Sequence, residues 1–121
     1  MDVIVVLTTV GTEEQANMIS RELVERRQAC CVNIIPGIRS VYRWQGKICR
    51  DGELMLLIKS NQSEFTAVTE TIRELHTYEV PEILAFDVAR GDADFLQWLG
   101  CCMDKTADFG DDDDLEDTDD G

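Results

Sequence analysis

Residues 31–44 and 47–59 are two strand-like runs separated only by Gln45 and Gly46. Arms rich in β-branched and aromatic residues, joined by a two-residue connection that ends in glycine, predict one long β-hairpin. Arms of about 14 residues at about 3.3 Å each span roughly 45 Å. A compact domain of 100 residues has a radius of gyration of only about 13 Å, so the tip must reach past its own core. The overhanging part carries Ile38, Val41, Tyr42, Trp44 and Ile48, apolar surface that water penalises by about 25 cal/mol per Å². Either a sister copy covers it in a closed cyclic assembly, or bends at Pro36-Gly37 and Asp51-Gly52 fold the hairpin back over its own sheet. The first reading is preferred. Both dipeptides are expected to be bulges or bends, the first because proline cannot donate to a ladder.

The flanking segments supply the rest of a fold. Val3 to Leu7 is a β-branched apolar run that continues into Thr8-Thr9-Val10-Gly11, the pattern of a buried central strand ending in a turn. Thr12 and Gln15 form a capping box ahead of a helix over about 13–28, with Ala16, Ile19, Leu23 and Val24 on its apolar stripe. Glu13 and Glu14 in its first turn and Arg26 and Arg27 in its last suit the helix dipole. A second helix opens at Asn61, with Glu64 three residues on and Phe65, Val68, Ile72 and Leu75 as its stripe. After Pro81, residues 82–88 read as a last strand, and Asp92 caps a short helix carrying Phe95, Leu96, Trp98 and Leu99. The order is β-α-β-β-α-β plus a C-terminal helix. That is the α+β, ferredoxin-like split βαβ plan: an antiparallel sheet with two helices on one face and the first and third strands central.

Charge divides the chain. Of a formal −14 over 121 residues, residues 104–121 hold ten acids and one base, leaving residues 1–103 with 15 acids and 10 bases. Residues 1–103 are therefore read as one domain of ordinary charge, and 104–121 as an acidic tail whose composition makes disorder the default. The tail lacks the spacing of a calcium loop. An acidic protein does not hold polyanions by a basic face, which argues against nucleic acid and anionic membranes as partners. No apolar stretch reaches the roughly 18 residues of a membrane span, and no basic region precedes Val3, so a cytoplasmic location is expected. The cysteines at 30, 31, 49, 101 and 102 are odd in number, include two adjacent pairs and show no Cys-x-x-Cys. They read as free thiols of a reducing compartment.

The fold hosts many functions, so the loops must decide. The first, Thr8 to Thr12, lacks the thiolates of a soft-metal carrier and the arginine of an acylphosphatase-type phosphate cradle. Met55-Leu56-Leu57-Ile58 lacks the aromatics of an RNA-binding strand. The dense segment is Leu75-His76-Thr77-Tyr78-Glu79-Val80-Pro81-Glu82, where the only histidine, a tyrosine and two carboxylates crowd one connection. His76 is a candidate metal ligand or titrating group, or else a residue that caps carbonyls at a helix end. Trp44, Lys59, His76, Tyr78 and Glu82 together offer the mixture expected of a small-molecule cleft between subunits, and Lys59 favours an anionic or zwitterionic ligand. The alternative is that Lys59 and Glu82 form a strand-end ion pair and Trp44 is interface packing. No nucleophile neighbours the histidine in sequence, so no catalytic residue and no enzymatic activity are expected.

In Ala29-Cys30-Cys31-Val32-Asn33-Ile34-Ile35-Pro36-Gly37, Ser40-Val41-Tyr42-Arg43-Trp44-Gln45-Gly46-Lys47, Leu56-Leu57-Ile58-Lys59, His76 to Glu82 and Phe95-Leu96-Gln97-Trp98-Leu99, the chain resembles the CutA family of divalent-cation tolerance proteins. The similarity runs over nearly all of residues 3–100 and does not extend to the acidic tail. It implies a ferredoxin-like subunit, a tight homotrimer built through extended strands, and architectural kinship with PII-type signalling trimers. It also implies copper(II) or another divalent cation as ligand, held by a cysteine near the end of the first strand and one or two histidines. Thr8 stands at the position of that cysteine and Leu75 at that of the first histidine, leaving His76 as the one matching ligand; the family's His-Pro-Tyr is here His76-Thr77-Tyr78. One imidazole without a thiolate predicts a low-affinity site. The expected function is that of a cytoplasmic trimeric divalent-cation tolerance protein acting as a binding or regulatory module. The alternative is a PII-like trimer that senses a small metabolite in its inter-subunit clefts without a metal.

Overall fold

The structure, a computed structural model, describes residues 2–106. Its elements are β1 (Val3–Val10), α1 (Glu13–Glu25), β2 (Cys31–Trp44), β3 (Lys47–Asn61), a 3-10 turn (Gln62–Glu64), α2 (Phe65–Leu75), β4 (Leu84–Asp87) and α3 (Ala93–Cys102). The four strands form one antiparallel sheet in the order β2-β3-β1-β4. The split βαβ plan is therefore present, with β1 and β3 central as expected. Most of the acidic segment 104–121, from residue 107 on, lies outside the described residues.

The local signals act as read. Thr12 Oγ1 accepts from the Gln15 N–H at 3.1 Å, Asn61 Oδ1 from the Glu64 N–H at 3.2 Å and Asp92 Oδ2 from the Phe95 N–H at 3.0 Å. Each satisfies an amide that the first helical turn leaves without a partner. Ile4, Val6 and Val10 of β1 and Leu54, Leu56 and Ile58 of β3 pack under Ala16, Ile19 and Leu23 of α1 and Val68 and Ile72 of α2. Among the described residues, no helix covers most of the opposite face of the sheet. Val5 faces Phe86 and Leu7 faces Leu84 across the β1–β4 ladder, and Phe86 remains 53% exposed and Leu84 49%. At one end of that face α3 docks through a second small cluster of Val3, Cys30, Leu99 and Met103.

Three boundaries differ from expectation. Helix α1 stops at Glu25, so Arg26 and Arg27 lie beyond its last turn. The chain leaves through Arg27 at φ 55°, with Arg27 N–H on the Val24 carbonyl and Gln28 N–H on the Leu23 carbonyl, both at 3.0 Å. That is a Schellman stop made without its usual glycine, which is why the sequence hid it. Arg26 instead reaches Glu22 at 2.9 Å and Glu74 of α2 at 3.2 Å. Strand β4 holds only four residues, because it pairs only with Ile4 to Leu7. The second expected bend is absent: Asp51 and Gly52 stay in regular register opposite Ser40 and Arg39.

The hairpin closes through Gln45 (φ 50°) and Gly46 (φ 80°) between paired Trp44 and Lys47, the two positive φ angles of a type I′ turn. Its one irregularity lies between Ile35↔Met55 and Ile38↔Glu53, where two residues of β2, Pro36 and Gly37, oppose one of β3. This bulge absorbs the missing proline donor. Beyond Leu54, which pairs with Val10 of β1, residues 47–53 pair only with β2. Seven residues thus project as a two-stranded ribbon, roughly 23 Å long, and Val41 and Ile48 on it are each 67% exposed. The ribbon does not fold back over its own sheet.

Candidate functional site

The bulge decides what the ribbon presents. Below it, odd-numbered residues of β2 share a face with odd-numbered residues of β3, as in Ile35↔Met55. Above it, even-numbered residues of β2 do so, as in Ser40↔Asp51 and Tyr42↔Cys49. A shift of one residue turns every later side chain to the other face. Ser40, Tyr42 and Trp44 therefore join Asp51 and Glu53 on the face not covered by α1 and α2. There the ribbon and the segment after α2 enclose a concavity of about 630 Å³, lined on one side by Tyr42, Trp44, Asp51 and Glu53 and on the other by Tyr78, Glu79, Val80 and Glu82.

The segment after α2 is held by backbone-directed bonds. Gln15, buried on α1, donates from Nε2 to the Leu75 carbonyl at 3.0 Å and accepts from the Thr77 N–H at 3.3 Å. His76 Nε2 lies 2.7 Å from the Thr9 carbonyl, and Nδ1 accepts from the Tyr78 N–H at 3.0 Å. A carbonyl only accepts and an N–H only donates, so the ring is neutral with its proton on Nε2. Its one lone pair is already taken. The His76 and Tyr78 rings lie 4.5 Å apart, and the Tyr78 hydroxyl donates to Glu53 Oε2 at 2.8 Å. A side chain at Gly11 would come within 3.2 Å of that hydroxyl, so the glycine lets the phenol seat against the end of β1.

Electrostatics follow from these contacts. Burial, and next the bond to Glu53, push the Tyr78 phenol above its ordinary range. Tyr42 donates to Asp51, and that bond first, with partial burial second, pushes Tyr42 up to about 12. The lining contains Asp51, Glu53, Glu79 and Glu82 but no lysine or arginine, a field that favours cations.

Of the residues singled out in the sequence, Trp44, Tyr78 and Glu82 line this concavity together, and His76 supports Tyr78 from behind. Lys59 is not among them. It shares the sheet face with Glu53 but stands six residues along β3, roughly 20 Å away, opposite Val5 and Cys31. Within one chain, the cation that favours an anionic or zwitterionic ligand thus stands outside this concavity, and Lys59 is no strand-end partner of Glu82. The sequence reading missed Glu53, Asp51, Tyr42 and Gln15. Glu53 left one signal: it is an acid at the position where the alternation Asp51, Glu53, Met55, Leu57, Lys59 turns from polar to apolar.

A family model described as CutA1 divalent ion tolerance protein matches residues 4–101. The chain belongs to this family. It is 50% identical over 95 residues to the divalent-cation tolerance protein CutA of Thermus thermophilus, covering 78% of this chain and 92% of that protein. It is 44% identical over 91 residues to human protein CutA, covering 75% of this chain and 51% of the relative. The chain thus spans about half the length of the human relative. Among solved structures, CutA from Xylella fastidiosa superposes with a TM-score of 0.83 at 39% identity, covering 86% of this chain and all of that one. The Thermus thermophilus protein gives 0.79 at 48% identity, covering 80% and 94%.

CutA1 membership raises the question of where a divalent ion would sit. Among the described residues, no group of three or more His, Cys, Asp or Glu side chains is placed to hold one. Thr8 is fully buried, and the strand alternation turns it to the face that carries Ile4, Val6 and Val10, away from the cleft. Leu75 packs against the same core. With Thr8 and Leu75 facing inward and both His76 nitrogens engaged, these three residues do not fit a copper site within one chain.

Proposed function

We propose that this divalent-cation tolerance protein works in the cytoplasm as a homotrimeric binding or regulatory module without catalytic activity. The observation that carries the assembly is the projecting ribbon beside an open apolar sheet face: Val41, Ile48, Leu84 and Phe86 are all half-exposed or more. A monomer gains nothing from leaving that surface to water, and a closed ring of copies removes it. The neutral His76, with both nitrogens committed to backbone groups, supports the absence of general acid–base work.

The ligand in this reading is a divalent cation taken by oxygen donors at the cleft, with Glu79 and Glu82 as outer carboxylates and water or a sister copy completing the shell. Carboxylates and water suit hard ions, whereas copper prefers imidazole and thiolate. No helix among the described residues is long and apolar enough to cross a membrane. Light scattering on the full chain tests the assembly, with a mass three times that of one chain expected. Calorimetric titration with manganese(II) and with copper(II) tests the ligand. Replacing Glu79 and Glu82 with glutamine should weaken manganese binding several-fold, while His76→Ala should leave the copper isotherm unchanged. A copper isotherm that collapses in His76→Ala would return the ion to that imidazole.

A further inference from the structure

The C-terminal helix ends where the long hairpin begins. Cys30, the residue before β2, is 7% exposed and sits in the small cluster with Val3, Leu99 and Met103. Cys102, the last residue of α3, packs against that cluster and is half-buried. Cys30 and Cys102 therefore share one packed cluster. Both are free thiols, brought from remote positions in the sequence to one small cluster at the end of the sheet. Burial, and next the neighbouring Cys102 thiol, hold the Cys30 thiol above its ordinary range, so it rests protonated.

We propose that Cys30 and Cys102 are a redox couple that closes to an intramolecular disulfide when the protein meets a low-molecular-weight disulfide. Cys102 is the more accessible sulfur and attacks first, as its thiolate, on one sulfur of the small disulfide. That S–S bond breaks, the first small thiolate leaves with the proton from Cys102, and a mixed disulfide remains on Cys102. Cys30 then displaces the second small thiolate, which takes the Cys30 proton. One S–S bond is broken and one formed. Two electrons pass from the cysteines to the oxidant, which departs as two thiols.

Other pairings are less well placed. Cys101 is exposed on α3. Cys31 neighbours Cys30 directly, and consecutive Cα atoms about 3.8 Å apart fall short of the usual disulfide separation of about 4.4 Å or more. The consequence of closure is mechanical. Beside the small cluster and the Asn61 Nδ2–Met103 Sδ contact at 3.9 Å, the end of α3 is held by Lys105 to Glu64 at 3.0 Å and by Arg27 to the Asp104 carbonyl at 2.9 Å. The last two are exposed contacts. A covalent link from Cys102 to Cys30 would staple this helix to the base of β2 and close a loop around most of the domain.

The test treats the full chain with excess oxidised glutathione at pH 8, traps free thiols, and maps disulfides by mass spectrometry. The expected product has lost two hydrogen atoms and links the Cys30 and Cys102 peptides. Formation should be about tenfold faster at pH 8 than at pH 7, because thiolates are the reacting species. Cys101→Ala and Cys31→Ala should keep the link, and Cys102→Ala should lose it. In 8 M urea the preference for this pair should vanish. Mixed glutathione adducts without internal closure would overturn the proposal. So would a link to Cys31 or Cys101, or the same pairing at the same rate in urea.

Discussion

Thr8 is fully buried and its hydroxyl has no hydrogen-bond partner among the described residues. A lone buried hydroxyl costs about 1 kcal/mol or more, so Thr8→Val, of nearly the same shape, should stabilise the fold by about that amount in urea denaturation. Tyr78 is the opposite case. Its hydroxyl serves Glu53, which is itself only 8% exposed. Tyr78→Phe strips that carboxylate of its donor and should cost about 1–3 kcal/mol. Burial of the phenol, and next this bond, also make stability depend on pH. A phenol held above its ordinary value stabilises the fold fully below about pH 10 and loses that contribution as pH rises through the folded value. Stability should therefore fall above about pH 10, and less steeply in Tyr78→Phe, as denaturant midpoints at pH 8 and pH 11 would record. Tyr78 and Glu82 were visible in the sequence because they crowd one short connection. Glu53 and Gln15 were not, since strand pairing and helix docking bring them from remote positions. Lys59 stands apart from the concavity within one chain for a related reason: residue type marks it as a ligand group, but only the ladder says how far along the strand it stands.

At the scale of elements, what was legible is what local chemistry determines. The helix starts at Thr12, Asn61 and Asp92, and the turn at Gln45-Gly46, rest on bonds or φ angles within a few residues. The end of α1 escaped because arginine occupies the left-handed position that glycine usually marks. The Pro36-Gly37 bulge was foreseen as an irregularity, but its effect on the faces of the ribbon was not, because that effect depends on which strand holds the extra residue. Gly37 adopts φ 77° with no atom near its missing side chain. Deleting it should remove the bulge and leave the ladder in place, with Ile38 still opposite Glu53 and Tyr42 still opposite Cys49, so that Tyr42 keeps Asp51 on its own face. The readout is tyrosine titration by ultraviolet absorbance, since the protein has only two tyrosines. Tyr42, pushed up to about 12 by Asp51, should stay above the ordinary value of about 10 in the deletion variant, as should Tyr78. A fall of Tyr42 to that ordinary value would mean that the deletion shifts the register and that Gly37 itself holds the ladder above it in place.

For the whole molecule, the decisive quantity is how far the hairpin outruns its core. That surplus was readable from strand length alone; the open sheet face was not, because it emerges only when β4 pairs beside β1 and lays Leu84 and Phe86 next to Leu7 and Val5. Two apolar surfaces, the ribbon and this face, therefore call for cover. Each chain also carries a formal −14, so copies repel at long range and associate only through surfaces that exclude water. Salt should then strengthen assembly by screening that repulsion, over a Debye length of about 10 Å at 0.1 M. A carboxylate introduced on the open face must be desolvated against apolar neighbours, which costs several kcal/mol when it has no partner. In the proposed trimer, Phe86→Glu should accordingly reduce the mass in light scattering from three chains to one at micromolar protein. Its helices and core should remain, since Phe86 takes no part in the cluster beneath α1 and α2. Glu64→Gln, on the connection to α2 and away from the open face, should leave three chains together. A trimer that survives Phe86→Glu would place the interface on the ribbon alone, and Ile48→Glu would then be the substitution that dissolves it.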